Sequence, residues 1–528
     1  MSPHAYTSPT AEGDSLRNDS LELVQRVESI ASAALHAFSK DQTKSTEDYQ
    51  ELFGGFSAEG SGPEGFTNAV ELLFQHSVDN TSPGFLGKLV SAPSPPGIAA
   101  DLFLSILNNN GHVWRASPAL TAVEKHVSLE LAKLFGLPGR HAGGISVPGG
   151  AAGNLLAMLV ARNMVAPESK QQGLMPGRYS VFVSEAAHYS VSNAAQVIGL
   201  GNDAVVRVPA LEDGTMDVDG LETAVHHAIQ DGRRPLLIAA TSGSTVNGAF
   251  DPLDKIGAIA LKANAWFHVD ACWGGAVVFS ERLRGLIKGS ELADSIAFNP
   301  HKLLGVPLVC AFLLVNDLRT LWLANKLNAG YLFHQKNSGK PATGSEDGLA
   351  QTESLSGNKG TKQDWRRSEL LSDAPDVAQI KDLASLTIQC SRRSDAAKMF
   401  LHWKYYGTQG IARDVEQAVD SAQHLARIVQ NHPRLELIGE PDKVFAQVCL
   451  YWKPNPDTDS SGQTMAVINS RNTQLLYREL DHHGWKIDYA PHKVKGEFLR
   501  VACNRLTTRQ GVEGLVSKLI ELGVSLGL

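Results

Sequence analysis

Short apolar runs and amphipathic stretches alternate along the middle of the chain. Apolar runs at 179–184, 203–209 and 265–271 predict β-strands, while apolar positions recurring every three or four residues at 218–232 and 251–265 predict helices. A further helix is predicted over 184–201, beginning at Ser184 or Glu185. Strands that alternate with helices are typical of a mostly parallel sheet covered by helices. The pattern therefore predicts an α/β fold.

The two ends of the chain have other patterns. The first residues are polar and rich in Ser, Thr, Pro and Asp, and an amphipathic helical pattern follows from residue 21. Near the C-terminus, helical patterns flank short strand patterns. We expect a disordered tail over 1–20, an N-terminal helical segment over 21–110, a large domain over 111–398 with a flexible insertion or catalytic loop at 336–375, and a small C-terminal domain over 399–528.

The overall composition argues against several classes of function. The 528 residues carry a net charge of −7, so nothing favours binding to nucleic acid or to a membrane surface. The five cysteines are scattered, without a CxxC pair or a histidine cluster, so we expect reduced thiols and no metal site. The polar N-terminus does not resemble a signal peptide, and no apolar run reaches the length of about 18 residues needed for a membrane helix. These features predict a cytoplasmic protein.

A carboxylate and a lysine each follow an apolar run: Asp270 in AWFHVDA and Lys302 in DSIAFNPHK. Charged residues at the ends of parallel strands lie at the rim where open α/β sheets bind ligands. Pyridoxal 5'-phosphate (PLP) needs both groups, because a lysine amine forms its Schiff base and an acid keeps its pyridine nitrogen protonated. Taken singly, each residue is equally typical of a surface charge pair; together they favour a PLP site.

A glycine pair precedes a predicted helix in SVPGGAAGNLLAMLVARN (146–163). Free backbone N–H groups at a helix start bind phosphate, helped by the helix dipole, and glycine allows a close approach. We assign Gly150, Ala151 and Ala152 to the cofactor phosphate. The glycine pair alone is a weak signal, but its position ahead of the aspartate and lysine motifs strengthens it.

In this order, the segments PGGAAGN, EAAHYS, HVDACWGGA and NPHKLLGVP resemble PLP-dependent group II amino-acid decarboxylases of the glutamate and cysteine-sulfinate decarboxylase type, over residues 70–528. The resemblance implies fold type I, the aminotransferase-like architecture, with a smaller C-terminal α/β domain. It also implies a homodimer whose active sites draw residues from both chains.

The same resemblance assigns further residues around the cofactor. His188 is expected to stack on one face of the ring and Ala271 to lie beneath the other, while His301 contacts the phosphate. Thr241 and Ser244 are candidate hydrogen-bond donors beside the ring hydroxyl. Each has a structural alternative, since a lone histidine is often a satisfied structural residue and Ser/Thr/Gly loops after strands are common.

Substrate contacts are expected from three cations. Arg500 in EFLRVACN matches the family arginine that holds the α-carboxylate, a task that suits a bidentate guanidinium. Lys88 stands where glutamate decarboxylases tend to carry a glutamine, and Arg115 stands where relatives carry an acid; both would suit an acidic substrate. The alternatives are a strand arginine paired with a neighbour and solvated surface cations.

The most consequential departure from the family pattern concerns Lys381. Nine residues before the cysteine of TIQCSRR, relatives have a tyrosine on a mobile loop, and that tyrosine is the acid thought to return a proton to Cα. An ammonium could donate the proton instead, whereas loss of the donor favours oxidation by oxygen. An alignment slip in this loop is the alternative.

These residues predict a PLP-dependent L-amino-acid decarboxylase that acts on glutamate, aspartate or cysteine sulfinate and releases carbon dioxide and an amine. Three alternatives stay open. Decarboxylation coupled to oxidative deamination would give an aldehyde and is motivated by Lys381. An aromatic or specialised substrate is left open by His112 and Trp114. The third is a non-catalytic scaffold, against which the intact cofactor motifs argue.

Overall fold

The structure is a computed structural model that describes residues 11–34, 45–326, 365–367, 371–372, 374–453 and 464–528. The chain divides into two compact units. The first comprises Met1–Phe85 with Asp481–Trp485, and the second comprises Leu86–Leu480 with Lys486–Leu528. Residues 1–10 of the predicted tail and most of the predicted insertion at 336–375 lie outside the described residues.

The described residues of the first unit form the helices α1 (Ala11–Ala34), α2 (Thr46–Phe53) and α3 (Gly62–Gln75), and α1 packs against α3. A capping box opens α2: the Ser45 hydroxyl accepts from the Asp48 N–H at 3.1 Å, and the Asp48 carboxylate accepts from the Ser45 N–H at 2.7 Å. Helix α1 begins at Ala11, within the range of 1–20 for which a tail is expected from the sequence.

A seven-stranded sheet organises the second unit. Its strands are β1 (Gly143–Val147), β2 (Tyr179–Ser184), β3 (Val205–Val208), β4 (Arg234–Thr241), β5 (Trp266–Asp270), β6 (Ser295–Phe298) and β7 (Ala311–Val315), in the order β1-β7-β6-β5-β4-β2-β3. Neighbouring strands from β6 to β3 are parallel, and β7 is antiparallel to both β6 and β1. The predicted α/β class with a mostly parallel sheet is confirmed.

Helices accompany this sheet along the chain: α4 (Pro95–Leu107), α5 (Pro118–Leu134), α6 (Gly150–Val165), α7 (Ser169–Gln172), α8 (Ser190–Val197), α9 (Val218–Gln230), α10 (Leu253–Lys262) and α11 (Leu318–Asn325). Apart from the edge strand β3, in which Arg207 is exposed, the strands are buried on both faces, because successive residues belong to different cores. Phe182 packs in one apolar cluster, whereas Val181 and Val183 pack in the other. Burial on both faces explains why the strands are continuous apolar runs.

The helix after β2 begins later than predicted. The sequence pattern placed its start at Ser184 or Glu185, but α8 begins at Ser190. The chain first makes a tight turn, in which the Ser184 carbonyl accepts from the Ala187 N–H and the Ser184 hydroxyl accepts from the Ala186 N–H, both at 3.1 Å. His188 therefore lies in this turn at the carboxyl end of β2.

The C-terminal part contains a smaller, antiparallel sheet with strand order β10-β11-β9-β8. Its elements are α12 (Ala396–Asn431), β8 (Leu435–Leu437), β9 (Gln447–Trp452), α13 (Met465–His482), β10 (Asp488–His492), β11 (Gly496–Ala502) and α14 (Arg509–Ser525). The helix α12 is interrupted at Gly407, where φ is 65°. The predicted smaller C-terminal domain is confirmed. None of the helices in the described ranges is long and apolar enough to cross a membrane.

Candidate active site

The carboxyl ends of β1, β4, β5 and β6 meet at one edge of the large sheet, because these strands run in the same direction. A cavity of about 210 Å³ lies at this edge. Its lining consists of Gly150, Ala151, Asn154, His188, Ser190, Thr241, Gly243, Thr245, Asp270, Cys272, Trp273, Asn299, His301 and Lys302. The structure thus brings the predicted aspartate, lysine and helix start together in one cavity.

Asp270 is the last residue of β5, and its carboxylate is held from two sides. Oδ2 accepts from the side-chain amide of Asn154 at 2.9 Å, and Oδ1 accepts from the Cys272 N–H at 3.1 Å. Burial opposes ionisation, but the charge of Lys302 and these hydrogen bonds outweigh it and hold the pKa of Asp270 below its ordinary value. The carboxylate is therefore charged at neutral pH, as a partner for a pyridinium must be.

Lys302 lies on a turn that follows β6. Its N–H donates to the Asn299 carbonyl at 3.0 Å, and its own carbonyl accepts from the Gly305 N–H at 3.2 Å. The ammonium is close enough to lower the pKa values of both Asp270 and His188. A lysine amine and a carboxylate thus face the same space, as their sequence positions predict.

The start of α6 forms a cradle of backbone donors. The first N–H groups of an α-helix have no partner within the helix, so those of Gly150 and Ala151 are available to a ligand in the cavity. A Cβ atom at Gly150 would overlap the Cys272 sulfur and would lie 2.7 Å from Asn299 Nδ2. Gly149 adopts a φ of 106°, a conformation that favours glycine. Both glycines are therefore required by the local geometry.

His188 lines the cavity from the turn after β2. Its Nδ1 lies 2.8 Å from the Ser190 hydroxyl oxygen, and the Ser190 N–H also points to Nδ1 at 3.3 Å. Burial lowers the pKa of His188, partly offset by the charge of Asp270. The imidazole is therefore neutral at physiological pH.

His301 and Thr241 complete the predicted lining. His301 Nδ1 lies 2.7 Å from the Cys310 carbonyl oxygen and 3.2 Å from the Cys310 backbone nitrogen, so the Cys310 backbone holds Nδ1 and Nε2 is left for a cavity ligand. Burial lowers the pKa of His301 to about 4. Thr241 ends β4, where its N–H donates to the buried Asp251 carboxylate at 2.7 Å.

Three residues predicted around the cofactor do not line the cavity. Ala152 lies one position beyond the lining residues of α6, and Ala271 is fully buried in the apolar core. The Ser244 hydroxyl is used inside its own loop, where it donates to Asn247 Oδ1 at 2.6 Å and accepts from the Ala249 N–H at 3.0 Å. Its loop instead presents Gly243 and Thr245 to the cavity.

Cys272 takes the cavity position expected for Ala271. Successive residues of an extended chain point to opposite sides, so Asp270 and Cys272 share the cavity side while Ala271 faces the core. Burial raises the pKa of the Cys272 thiol well above its ordinary value, so the group is a neutral thiol. Cys272, and not Ala271, therefore lines the cavity next to Asp270.

Two of the predicted substrate-binding cations share one carboxylate. The buried Arg500 donates to Asp488 Oδ2 at 2.8 Å, to the Gly87 carbonyl at 2.9 Å and to the Thr245 carbonyl at 2.7 Å. The exposed Lys88 lies 3.0 Å from the same Asp488 oxygen. Neither cation lines the cavity, but Arg500 is bonded to Thr245, which does.

Arg115 and Lys381 lie away from the cavity lining. Arg115 is exposed in the loop between α4 and α5. Lys381 is also exposed and follows a segment held by Lys125, whose ammonium donates to the carbonyls of Val377 and Ile380 at 3.1 and 2.9 Å. Their roles toward substrate stay predictions.

Several lining residues were not predicted from the sequence. Asn154 lies one helical turn after Gly150, so it shares the cavity face of α6. Ser190 lies two residues after His188, and Asn299 lies three residues before Lys302. Helical spacing from the glycine pair was the one signal that could have identified Asn154.

The cavity fits PLP by the chemistry of its groups. It offers backbone donors for a phosphate, an ionised carboxylate for a pyridine nitrogen and an amine for an aldehyde. Two buried atoms of its lining residues, Asn299 Oδ1 and Trp273 Nε1, have no hydrogen-bond partner among the described residues. Unpaired buried polar groups are costly, so their presence here is consistent with a polar ligand. This fold and this site define a PLP-dependent enzyme.

Comparison with known proteins identifies the family. The pyridoxal-dependent decarboxylase conserved domain matches residues 65–345 and 368–453. A glutamate decarboxylase-like protein of Gibberella zeae is 67% identical over 98% of this chain and 99% of its own. An L-aspartate decarboxylase of Metarhizium robertsii is 38% identical over 88% of this chain and 84% of its own. A crystal structure of mouse CSAD, at 30% identity, superposes with a TM-score of 0.80 and covers 95% of this chain and 98% of that one.

The chain belongs to the pyridoxal-dependent decarboxylase family. It is a PLP-dependent amino-acid decarboxylase of fold type I, as the sequence motifs predict.

Proposed function

We propose that this enzyme decarboxylates an acidic L-amino acid, in the class of aspartate, glutamate or cysteine sulfinate, to carbon dioxide and the corresponding amine. The decarboxylase chemistry is carried by the cavity that places an ionised Asp270 and Lys302 beside the open start of α6. The acidic substrate class is supported by the relatives named above and by Lys88, a second cation that shares Asp488 with Arg500.

When bound, PLP supplies an electron sink for the bond that breaks at Cα. In the proposed arrangement, Lys302 holds the cofactor aldehyde and Asp270 keeps the pyridine nitrogen protonated. The N–H groups of Gly150 and Ala151 bind the phosphate, together with His301. His188 and Cys272 enclose the ring from its two faces. These groups orient the reacting bond, which is the main contribution a protein adds to this chemistry.

Arg500 is the proposed partner of the substrate α-carboxylate, and Lys88 the proposed partner of its acidic side chain. Arg500 is anchored by two backbone carbonyls and by Asp488, so its direction is set before substrate arrives. Lys88 is mostly exposed, and its single carboxylate partner leaves donors available. Two cations against one Asp488 leave a net positive charge at this end of the site.

Lys381 is proposed as the acid that returns a proton to Cα, in place of the tyrosine of relatives. Within one chain Lys381 is exposed and does not line the cavity. The role therefore requires that the loop of one subunit reach the cavity of another. Arg115 is proposed to join the same shared site.

A homodimer is part of the proposal. Helix α4 exposes the large apolar side chains of Ile98, Leu102, Phe103 and Ile106 on one face. A second copy of this chain is the proposed partner for that face, because dimerisation would bury apolar surface that is exposed to solvent in the single chain. Sedimentation velocity should show a dimer that Ile106→Glu weakens, whereas Leu261→Glu on the exposed face of α10 should leave it intact. A monomer at micromolar concentration would contradict this part.

A cytoplasmic location completes the proposal. All five cysteines are free thiols, and four of them are buried. This thiol content suits a reducing compartment. Cell fractionation with an antibody against the protein tests the location.

The test of function is product analysis. The protein with PLP is given aspartate, glutamate, cysteine sulfinate, their neutral counterparts asparagine and glutamine, and the aromatic amino acids. Mass spectrometry identifies the products, and a coupled assay detects peroxide. The proposal predicts an amine from one acidic substrate, at least tenfold slower turnover of its neutral counterpart, and no peroxide. An aldehyde with peroxide, or turnover of aromatic substrates alone, would contradict it.

Lys88 has its own test within this assay. Lys88→Gln should raise the KM for the acidic substrate severalfold with little change in kcat, because a cation that contacts the substrate side chain and not the reacting atoms contributes uniform binding. Lys133→Gln, at an exposed ion pair on α5, is the matched control. Equal KM values in both variants would exclude Lys88 from the substrate site.

A further inference from the structure

A continuous hydrogen-bond chain connects the interior of the sheet to the two groups that would contact the cofactor ring. Trp266 Nε1 donates to the Ser295 hydroxyl at 2.8 Å, and that hydroxyl lies 2.8 Å from His268 Nδ1. His268 Nε2 lies 2.9 Å from Asn154 Oδ1. These four residues come from β5, β6 and α6, and all are buried.

Asn154 is the branch point of this chain. Its side-chain amide nitrogen donates to Asp270 Oδ2 at 2.9 Å and to the Ser190 hydroxyl at 2.8 Å. The Ser190 hydroxyl in turn lies 2.8 Å from His188 Nδ1. One asparagine thus supports both the carboxylate and the imidazole that line the cavity.

The direction of every hydrogen bond in the chain is fixed by its two ends. Trp266 can only donate and the ionised Asp270 can only accept. The Asn154 amide must turn its nitrogen toward Asp270, because the reverse orientation would place the amide oxygen against the carboxylate. Its oxygen then faces His268, whose Nε2 must be the protonated nitrogen.

The same logic fixes the tautomer of His188. The Ser190 hydroxyl accepts from Asn154, so its own proton is free to donate to His188 Nδ1. The Ser190 N–H also points to Nδ1, which agrees with Nδ1 being an acceptor. A neutral His188 therefore carries its proton on Nε2.

We propose that Asn154 is a positioning residue of the active site, which orients the Asp270 carboxylate and fixes the Nε2-protonated tautomer of His188. His268 holds the Asn154 amide in this orientation through its hydrogen bond to Asn154 Oδ1. The inference rests on the proposed placement of PLP against Asp270 and His188.

The main variant is Asn154→Leu, which keeps the side-chain size and removes all three hydrogen bonds. Loss of a hydrogen bond to a buried charge should raise the apparent dissociation constant of PLP by about ten- to a hundredfold. The constant is measured by dialysis of the holoenzyme, and the pH dependence of the cofactor absorbance band should shift as well. Asn163→Leu is the matched control, because Asn163 is a buried asparagine on the same helix that bonds to the Ala324 carbonyl.

A second variant tests the direction of the hydrogen bonds. Asn154→Asp keeps an acceptor for His268, but it can donate to Asp270 only while it is protonated. Two carboxylates at this distance repel each other. Relative to the wild type, PLP affinity of this variant should fall as pH rises, by up to about tenfold per pH unit above the pKa of the new acid. The titratable groups that face this position are Asp270, His268, His188, Lys302 and Cys272.

The outcomes separate failure of this inference from failure of the cofactor placement. Asp270→Asn is measured alongside. If Asp270→Asn weakens PLP binding but Asn154→Leu behaves like Asn163→Leu, Asn154 is merely structural and the inference is overturned. If Asp270→Asn itself leaves PLP affinity and absorbance unchanged, the proposed placement has failed. An Asn154→Asp variant whose affinity relative to wild type does not change with pH would also overturn the inference.

Discussion

At the scale of single residues, the charge of Asp270 is the property on which the site depends. Its neighbours hold it ionised despite its burial. Asp270→Asn keeps the shape but removes the charge that a protonated pyridine nitrogen requires. We expect kcat to fall by about 10²–10³-fold, the usual cost of losing one preorganised electrostatic contact. Steady-state kinetics checks this, with Asp317→Asn at the start of α11 as a control that should retain activity.

Residue types and their order were sufficient to predict Asp270, Lys302, His188 and the glycine pair, because each belongs to a motif with a chemical purpose. The sequence did not show that Cys272 lines the cavity while Ala271 faces the core, since this depends on which side of the chain faces the cavity after β5 ends. The sequence also does not show that the Ser244 hydroxyl is used inside its own loop, since those hydrogen bonds form only when the loop folds.

At the scale of elements, the start of α6 shows how closely the site is packed. A methyl group at Gly150 would overlap the Cys272 sulfur. Gly150→Ala should therefore displace the backbone N–H groups at the start of α6 from the cofactor phosphate and weaken PLP binding by at least tenfold. The second change Cys272→Ala removes the overlapping atom and should restore part of the affinity, measured by dialysis of the holoenzyme. No difference between the single and double variants would contradict this packing argument.

A buried ion pair joins α5 to the segment that precedes α12. Arg392 lies 2.5 Å from Glu124 Oε1 and also donates to the carbonyls of Gly111 and Ser146, at 2.9 and 3.0 Å. Glu124→Gln would leave the guanidinium buried without a counter-charge, which costs about 3–5 kcal/mol. Urea unfolding should show this loss. Glu130→Gln on the same helix breaks only an exposed pair and should cost less than about 1 kcal/mol.

Elements with a clean apolar period were predicted within a few residues, and β2 agrees at both ends. The start of α8 was predicted too early, because the pattern of apolar residues does not show that Ser184 closes a turn with its own carbonyl and hydroxyl. That turn places His188 in the cavity lining, so the incorrect helix start concerns a segment that contributes to the site.

At the scale of the whole molecule, three buried histidines predict sensitivity to acid. Burial lowers the pKa values of His268, His301 and His402 to about 4. Between that pH and about 6.5 the unfolded chain binds more protons than the folded chain, so stability falls as pH decreases through this range. Each histidine should contribute a loss of about 2 kcal/mol between pH 7 and pH 5. Asp251 opposes this trend, because burial raises its pKa to about 6.

His402 offers the cleanest measurement of this effect, since it lies outside the cavity and bonds to the Ser94 hydroxyl at 2.9 Å. The free energy of unfolding from urea titrations at pH 5 and pH 7 should differ by about 2 kcal/mol less in His402→Gln than in the wild type. An unchanged difference would mean that His402 does not carry this part of the pH dependence.

The α/β architecture, the parallel sheet and the smaller C-terminal domain were all predicted, because they follow from local periodicity and from motifs. The hydrogen-bond chain through Asn154 was not, since it joins α6, β5, β6 and the turn before α8, which meet only in the folded protein.

We propose that the cavity at the sheet edge binds PLP through Lys302, and the cofactor linkage can be tested directly. Borohydride reduction of the holoenzyme fixes the cofactor to the amine that carries it, and mass spectrometry of the digested protein then locates the modified lysine. We expect modification of Lys302 in the wild type, and of no lysine in Lys302→Ala. Modification of a different lysine, such as the fully buried Lys398, would contradict it.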